Sequence, residues 1–143
     1  MSKVFTLSEA QTLLPVVEAL LRRAQAAGER TGELEQEMMQ LSHRIFLSGG
    51  MHVDVNGAAR RRAERDKAVQ EATDTLAEID AIGVQLKDLE QGLLDFPSVI
   101  DGKPALLCWK LGEPTISHWH TEEEGFAGRK PLDPRIGKTE RLN

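Results

Sequence analysis

The strongest pattern in the sequence is a run of apolar residues spaced three and four apart in the first third of the chain. Thr6 and Glu9 form a capping box, in which the threonine hydroxyl accepts a backbone N–H and the glutamate reaches back to the cap. The spacing predicts one helix from about Leu7 to Leu47, roughly 60 Å long at 1.5 Å per residue. Pro15 predicts a kink near the start of this helix, not its end, because the apolar pattern continues beyond the proline. The apolar positions, with one polar member, are Ala10, Leu13, Val17, Leu20, Ala24, Ala27, Thr31, Leu34, Met38, Leu41 and Ile45.

A second helix is predicted from Ala58 to about Ile82, after a loop marked by glycines. If the two helices form an antiparallel hairpin, their apolar seams align when Leu34 lies opposite Val69. In that register the second helix is too short to reach the beginning of the first. We therefore expect Leu13, Val17 and Leu20 to pack on the rest of the protein.

The apolar pattern changes to a period of two after Gly83, which predicts four antiparallel strands in sequential order, a β-meander. The dipeptide Asp101-Gly102 is a strong hairpin signal between the second and third strands. The predicted fold class is thus α+β, with one face of the sheet packed on the N-terminal helix. The predicted organisation is a helical hairpin over residues 1–82, a β-meander over 83–121 and an irregular tail over 122–143.

Composition narrows the class of protein further. A chain of 143 residues with 40% hydrophobic and 29% charged residues fits a single globular unit. The net charge of -5 argues against general nucleic-acid binding, which needs a surplus of Lys and Arg. Cys108 is the single cysteine, so it forms no intrachain disulfide and belongs to no thiolate-rich zinc framework. Without a signal-peptide pattern or an apolar run that spans a bilayer, we expect a cytoplasmic location and no membrane insertion.

The tip of the predicted hairpin is locally basic, with Arg44 on the first helix and Arg60, Arg61, Arg62 and Arg65 on the second. Such a patch could bind a phosphate-rich partner. Acidic residues are interleaved with these arginines and no aromatic residue is available for base stacking, which favours a solvated helical face.

Several motifs lie in the second half of the chain, and a few further residues lie near its beginning. The motifs are Gly92-Leu-Leu-Asp-Phe-Pro97, Leu107-Cys-Trp-Lys-Leu-Gly-Glu113, Trp119-His120 and Gly125-Phe-Ala-Gly-Arg129, preceded by Phe5, Glu9-Ala10 and Leu14-Pro15. Together they resemble an uncharacterised bacterial family, domain of unknown function 2203. The resemblance extends over nearly the whole chain and implies no activity. It suggests that Asp95, Cys108, Glu113, His120 and Arg129 belong to the family's pattern, while His118 is not clearly part of it.

His118 and His120 are two residues apart on the last predicted strand, so both imidazoles should point to one face of the sheet. With a carboxylate from Glu113 or from the glutamates at 122–124, they would form a divalent-metal site, for example for zinc. The candidate ligands are therefore His118, His120 and Glu113. The structural alternative is that His120 is a hydrogen-bonded histidine and His118 a surface residue.

Three other residues are candidates for the same region. Cys108 could be a nucleophile if a histidine on the neighbouring strand lowers its pKa, although free cysteines are more often core residues. Asp95 and Arg129 could serve acid–base chemistry or anion binding, or they could fix turns through hydrogen bonds and ion pairs. We expect His120 to have a carboxylate, thiol or ion within bonding reach and to line a concavity that contains Glu113 or Arg129.

Two functions from different classes follow from this sequence. The leading hypothesis is a non-enzymatic helical-hairpin scaffold or interaction protein. It self-associates as a homodimer, or docks a protein partner, through the long helix, because two helices alone leave apolar positions uncovered. The alternative is a divalent-metal-binding protein or metal-dependent enzyme that uses the His120 region.

Overall fold

The fold is a pair of long helices followed by a five-stranded antiparallel sheet, as seen in a computed structural model that describes residues 3–50 and 54–133. The sheet order is sequential, so each strand pairs with the next one along the chain. The α+β class is confirmed, but the sheet has five strands, not the predicted four. The elements are α1 (Leu7–Leu47), α2 (Val55–Ile82), β1 (Gln85–Asp88), β2 (Leu93–Ile100), β3 (Lys103–Lys110), β4 (His118–His120) and β5 (Lys130–Pro131), with a 3-10 helix at Phe126–Gly128.

The predicted limits of α1 are confirmed, and so is its capping box. The Thr6 N–H donates to Glu9 Oε1 at 2.8 Å, and the Glu9 N–H donates to Thr6 Oγ1 at 3.1 Å. The helix continues through Pro15, while the kink stays a prediction. Helix α2 begins three residues earlier than predicted, because Asp54 caps it by accepting the Gly57 N–H at 2.9 Å.

The described residues form two compact units. The sheet unit comprises residues 3–21 and 76–133, and the hairpin unit is Arg22–Thr75. This division follows packing in space and cuts both helices. The segments 1–82, 83–121 and 122–143 drawn from the sequence stay a prediction.

In the hairpin unit, α1 and α2 run antiparallel and are joined by ion pairs between Arg23 and Glu71 at 2.7 Å and between Arg30 and Glu64 at 2.9 Å. The predicted register would place Arg30 level with Thr73. Thr73 lies about nine residues, or roughly 13 Å, beyond Glu64 along α2. Val69 is 42% exposed instead of packed on Leu34. The predicted register is therefore wrong, because α2 has too few apolar residues to define its seam.

In the sheet unit, the core lies between the first four turns of α1, the last turns of α2 and one face of the sheet. Val17 and Leu20 are buried in this core and Leu13 packs against it, as predicted. The reason given for this packing was that the second helix is too short to reach the beginning of the first. That reason was wrong, because Ile79 of α2 lies in the same core. The largest fully buried side chains of the sheet unit are Trp109, Phe5, Phe96, Leu21, Ile79, Leu94 and Leu107.

The β2–β3 hairpin has the turn predicted at Asp101-Gly102, with both residues at positive φ, 53° and 76°. By contrast, the alternating pattern of the sequence predicts a last strand from Thr115 to His120, but β4 begins only at His118. Gln11 of α1 holds the preceding segment by exchanging two hydrogen bonds of 3.1 Å with the backbone of Ile116. Ile116 is therefore turned into the core and does not share a face with the two histidines.

The fifth strand, β5, lies in the segment that was predicted to be irregular. It pairs with β4 through Trp119 opposite Lys130 and His118 opposite Pro131. The strand is only two residues long and contains a proline, which an edge position tolerates because its missing N–H is not needed there. The sequence has no periodic apolar pattern here that would predict such a short strand.

Candidate functional site

The sheet register brings four candidate residues to the face that lies opposite the core. Asp95 on β2 lies opposite Cys108 on β3, and Cys108 lies opposite His118 on β4. His120 is two residues further along β4 and so shares their face. Trp119 points the other way and packs against the core.

His120 is held by a hydrogen bond at each ring nitrogen and is only 2% exposed. Its Nδ1 lies 2.8 Å from the Thr121 carbonyl oxygen, and its Nε2 lies 3.0 Å from Asp95 Oδ1. A carbonyl oxygen can only accept, so Nδ1 carries a hydrogen. The bond between Nε2 and Asp95 then requires one further proton, either on the carboxyl or on the imidazole.

The Thr121 carbonyl is itself fixed by a capped turn that follows β4. The Thr121 N–H donates to Glu124 Oε1 at 3.1 Å, and the Glu124 N–H donates to Thr121 Oγ1 at 3.3 Å. This is a capping box, which the sequence Thr121-Glu-Glu-Glu124 could have revealed. The turn therefore sets which nitrogen of His120 carries its hydrogen.

Asp95 and Cys108 complete a buried group with His120, being 2% and 1% exposed. The three candidate ligand atoms, one from each side chain, all lie within 4.8 Å of one another. Burial raises the pKa of Asp95, although His120 partly opposes this. Burial and the nearby Asp95 raise the pKa of the Cys108 thiol to about 11. Without a metal ion, the Cys108 thiol is therefore protonated near pH 7.

A cavity of about 140 Å³ opens beside this group. Asp95, Cys108 and His120 form part of its wall, and the segment after β4 contributes Glu122 and Phe126. Neither Glu113 nor Arg129 is among its lining residues, so that part of the expectation for His120 was wrong. The other part is confirmed, because His120 has the carboxylate of Asp95 within bonding reach.

Glu113, Arg129 and His118 form a second cluster. The Arg129 guanidinium donates to both carboxylate oxygens of Glu113, at 3.1 and 3.0 Å, and its centre lies 4.5 Å from the centre of the Phe126 ring. Although burial raises the pKa of Glu113, the hydrogen bonds from Arg129 and from the Lys110 N–H lower it overall. The His118 Nδ1 lies 3.9 Å from Glu113.

The residues expected to bind one metal ion are thus divided between two clusters, with His120 in the first and His118 and Glu113 in the second. In the part of the chain that the structure describes, Asp95, Cys108 and His120 form the one such group compact enough to hold an ion. The sequence alone was enough to place two of these residues, Asp95 and Cys108, next to each other. A two-residue turn at Asp101-Gly102 fixes the register of its hairpin, and counting outward from it places Asp95 opposite Cys108.

Comparison with known protein families identifies residues 3–132 as a match to the family described as uncharacterized conserved protein, DUF2203. The chain belongs to this family. No curated protein and no solved structure matches it. In this DUF2203 member, both clusters lie within the matched residues. Among the described helices, none combines the length and apolar character needed to cross a membrane.

Proposed function

We propose that this DUF2203 protein binds a divalent metal ion through Cys108, His120 and Asp95, and that zinc is the ion that suits these ligands best. Sulfur, imidazole nitrogen and carboxylate oxygen are the three donor types that zinc takes from proteins. All three side chains are buried, which favours a bound ion over exchange with solvent.

The observation that carries this proposal is the hydrogen bond from His120 Nδ1 to the Thr121 carbonyl. Histidines that bind metals almost always donate their second ring N–H to a carbonyl or carboxylate, which orients the ring and leaves the other nitrogen as the ligand. In this site the remaining nitrogen, Nε2, faces Asp95 Oδ1 at 3.0 Å. Two acceptor atoms at this distance need a proton or a cation between them.

The cavity beside the group suggests how a bound ion would be used. Three protein ligands leave a fourth position of a tetrahedral ion open, as in catalytic zinc sites. The cavity of about 140 Å³ has room for water or a small ligand at that position. A thiolate ligand also requires a reducing environment, so this proposal includes the predicted cytoplasmic location.

The test is a titration of the chelator-treated full-length protein with Co²⁺ and Zn²⁺. Coordination by Cys108 would give Co²⁺ a sulfur-to-metal charge-transfer band in the near ultraviolet, and Zn²⁺ should displace the cobalt. Cys108→Ser and His120→Gln should each weaken binding at least about 100-fold, because loss of even a supporting residue costs roughly 10- to 100-fold.

Two histidine variants serve as controls for this titration. His43→Gln changes an exposed histidine of α1 and should leave the affinity unchanged. His118→Gln distinguishes the ligands seen together in the structure from the ligand set predicted from the sequence, which includes His118. This variant should also have little effect on the metal affinity. If His118→Gln abolishes binding while Cys108→Ser does not, the ion is bound at the second cluster. If the wild type binds no better than His120→Gln, the metal proposal is wrong.

The second candidate function is the scaffold role with self-association, and exposed apolar residues of the hairpin unit favour it. Met39, Phe46 and Leu47 of α1 are 72%, 78% and 69% exposed. Burying such side chains against a second copy would contribute hydrophobic free energy to a homodimer. Light scattering at micromolar concentration tests this role, since a particle of 15.9 kDa would be a monomer.

A further inference from the structure

One side of α1 in the hairpin unit carries small and large residues in a regular order. Gly32, Met39 and Phe46 are seven residues apart, so they lie in one row along the helix. Glu35 and His43 lie between them on the same side. We call these five residues the α1 row. Its two large apolar members are among the most exposed in the described chain, at 72% for Met39 and 78% for Phe46.

Gly32 has no structural role within the described part of the single chain. A Cβ atom added to it would meet nothing within 4 Å. Apart from proline, glycine is the least favourable residue in a helix interior, because it loses the most backbone entropy on folding. A glycine in this position is useful when another backbone or a large side chain approaches the helix closely.

We infer that a second copy of this chain packs antiparallel on the α1 row, with the two-fold axis passing beside Met39. This inference rests on the self-association proposed above and specifies its surface. In this arrangement, Met39 faces itself across the axis and Phe46 of each copy covers Gly32 of the other. A two-fold interface must be complementary to itself, and this row provides both the protruding side chain and the space that receives it.

The polar residues of the row favour the antiparallel direction. The same register places Glu35 of one copy level with His43 of the other, whose ring N–H can donate to a carboxylate. A parallel arrangement would instead place Glu35 beside Glu35 and Phe46 beside Phe46. It would bring like charges together and leave the space at Gly32 empty.

A symmetric disulfide tests the position of the axis. Met39→Cys introduces a cysteine that faces its own copy, and two cysteines can be bridged only when their Cα atoms are within about 7 Å. Mild oxidation should therefore convert this variant to a covalent dimer. Glu37→Cys places a cysteine on a different side of α1 and should not form the dimer. The wild type should not do so either, because Cys108 is buried.

Substitutions test the packing against Gly32. Phe46→Glu and Gly32→Leu should each raise the dissociation constant of the dimer at least about tenfold, since one introduces a buried charge and the other fills the space. Gly28→Leu is the matched control. Gly28 is also open to solvent in α1, but it lies level with the end of the partner's helix, so dimerisation should be unchanged. Circular dichroism should show that all three variants remain helical.

The possible outcomes separate this inference from the proposal on which it rests. A monomeric wild type in light scattering would overturn both. A dimeric wild type whose Met39→Cys variant does not cross-link, or whose affinity is unchanged by Phe46→Glu, would overturn the α1 row and leave self-association standing. Cross-linking of Met39→Cys together with weakened association of Phe46→Glu and Gly32→Leu, but not Gly28→Leu, would support it.

Discussion

The sheet unit and the hairpin unit bury different kinds of side chain. The sheet unit encloses large apolar residues such as Trp109 and Phe96, both fully buried. In the hairpin unit, Leu34 is the one large apolar side chain that is fully buried among the described residues, and its other buried positions are mainly alanines. Because hydrophobic stabilisation scales with the apolar area removed from water, the sheet unit is the more strongly stabilised of the two.

The two units also differ in what they expose. The large apolar residues that are exposed in the described chain lie mainly in the hairpin unit, with Val16 in the sheet unit as the exception. The buried titratable group of Asp95, Cys108 and His120 lies in the sheet unit. The sheet unit thus keeps a polar group away from water, while the hairpin unit leaves large apolar side chains exposed to it.

The largest expected effect compares the same substitution in both units. Leu107 in the sheet unit and Leu34 in the hairpin unit are each 1% exposed. Leu107→Ala should lower the free energy of unfolding by about 3–5 kcal/mol, and Leu34→Ala by about 2–3 kcal/mol, because a site flanked by small residues and flexible charged chains collapses more easily. Urea unfolding measures both values. Equal losses would contradict the proposed difference in packing.

A smaller effect concerns Asp95 in the metal-free protein. Asp95→Ala leaves His120 Nε2 buried without a partner and should cost about 2–3 kcal/mol in the free energy of unfolding. Asp95→Asn should cost less than about 1 kcal/mol, because its amide can donate to Nε2 and keep this hydrogen bond. Thermal or urea unfolding near pH 7 gives the comparison. If Asn is as destabilising as Ala, the hydrogen bond to Nε2 does not stabilise the fold.

The Cys108 thiol provides a test by pH. With a pKa of about 11 in the fold, about one thiol in a thousand is ionised at pH 8 in the metal-free protein. Alkylation should therefore be slow in the native state and much faster in urea, where the pKa returns toward 9.0. The raised pKa contributes stability that is fully present below pH 9 and is lost as the pH rises through 11. Rapid alkylation of the native protein at pH 8 would show that Cys108 is neither buried nor protonated.

The affinity for a metal ion should rise with pH, because the same thiol must lose its proton before it binds the ion. Because the ion binds the thiolate, Nε2 and the Asp95 carboxylate, each bound ion displaces the Cys108 proton and the proton held between His120 and Asp95. The affinity should therefore rise at least about tenfold per pH unit between pH 6 and 8. Zinc titrations at several pH values measure this slope. A Cys108→Ser variant should lose the part of this slope that comes from the thiol, about tenfold per pH unit.

The smallest effect is expected at the surface of the hairpin unit. Arg30 and Glu64 form an ion pair of 2.9 Å, but their side chains are 50% and 53% exposed. Arg30→Gln should therefore change the free energy of unfolding by less than about 1 kcal/mol, and salt should reduce the effect further. Glu37→Gln is a control on the same helix. A loss above 2 kcal/mol would mean that the ion pair fixes the helix register.

The sequence alone determined the features that depend on neighbouring residues. The limits of α1 follow from its capping box and its apolar period, and the β2–β3 turn follows from Asp101-Gly102. This turn also implies that Asp95 lies opposite Cys108, since a two-residue hairpin has one register. Local backbone preferences fix these features before any distant contact forms.

Only the tertiary structure decided the features that depend on distant contacts. Strand β4 begins late because Gln11 binds the backbone of Ile116, 105 residues away along the chain. The register of the two helices is set by packing between them, since the apolar pattern of α2 is too sparse to define it. His120 forms a hydrogen bond with Asp95 and does not share a site with His118, because the capped turn at Thr121 orients its ring. Spacing in the sequence could place both histidines on one face, but the partner of each depends on atoms that only the folded chain brings together.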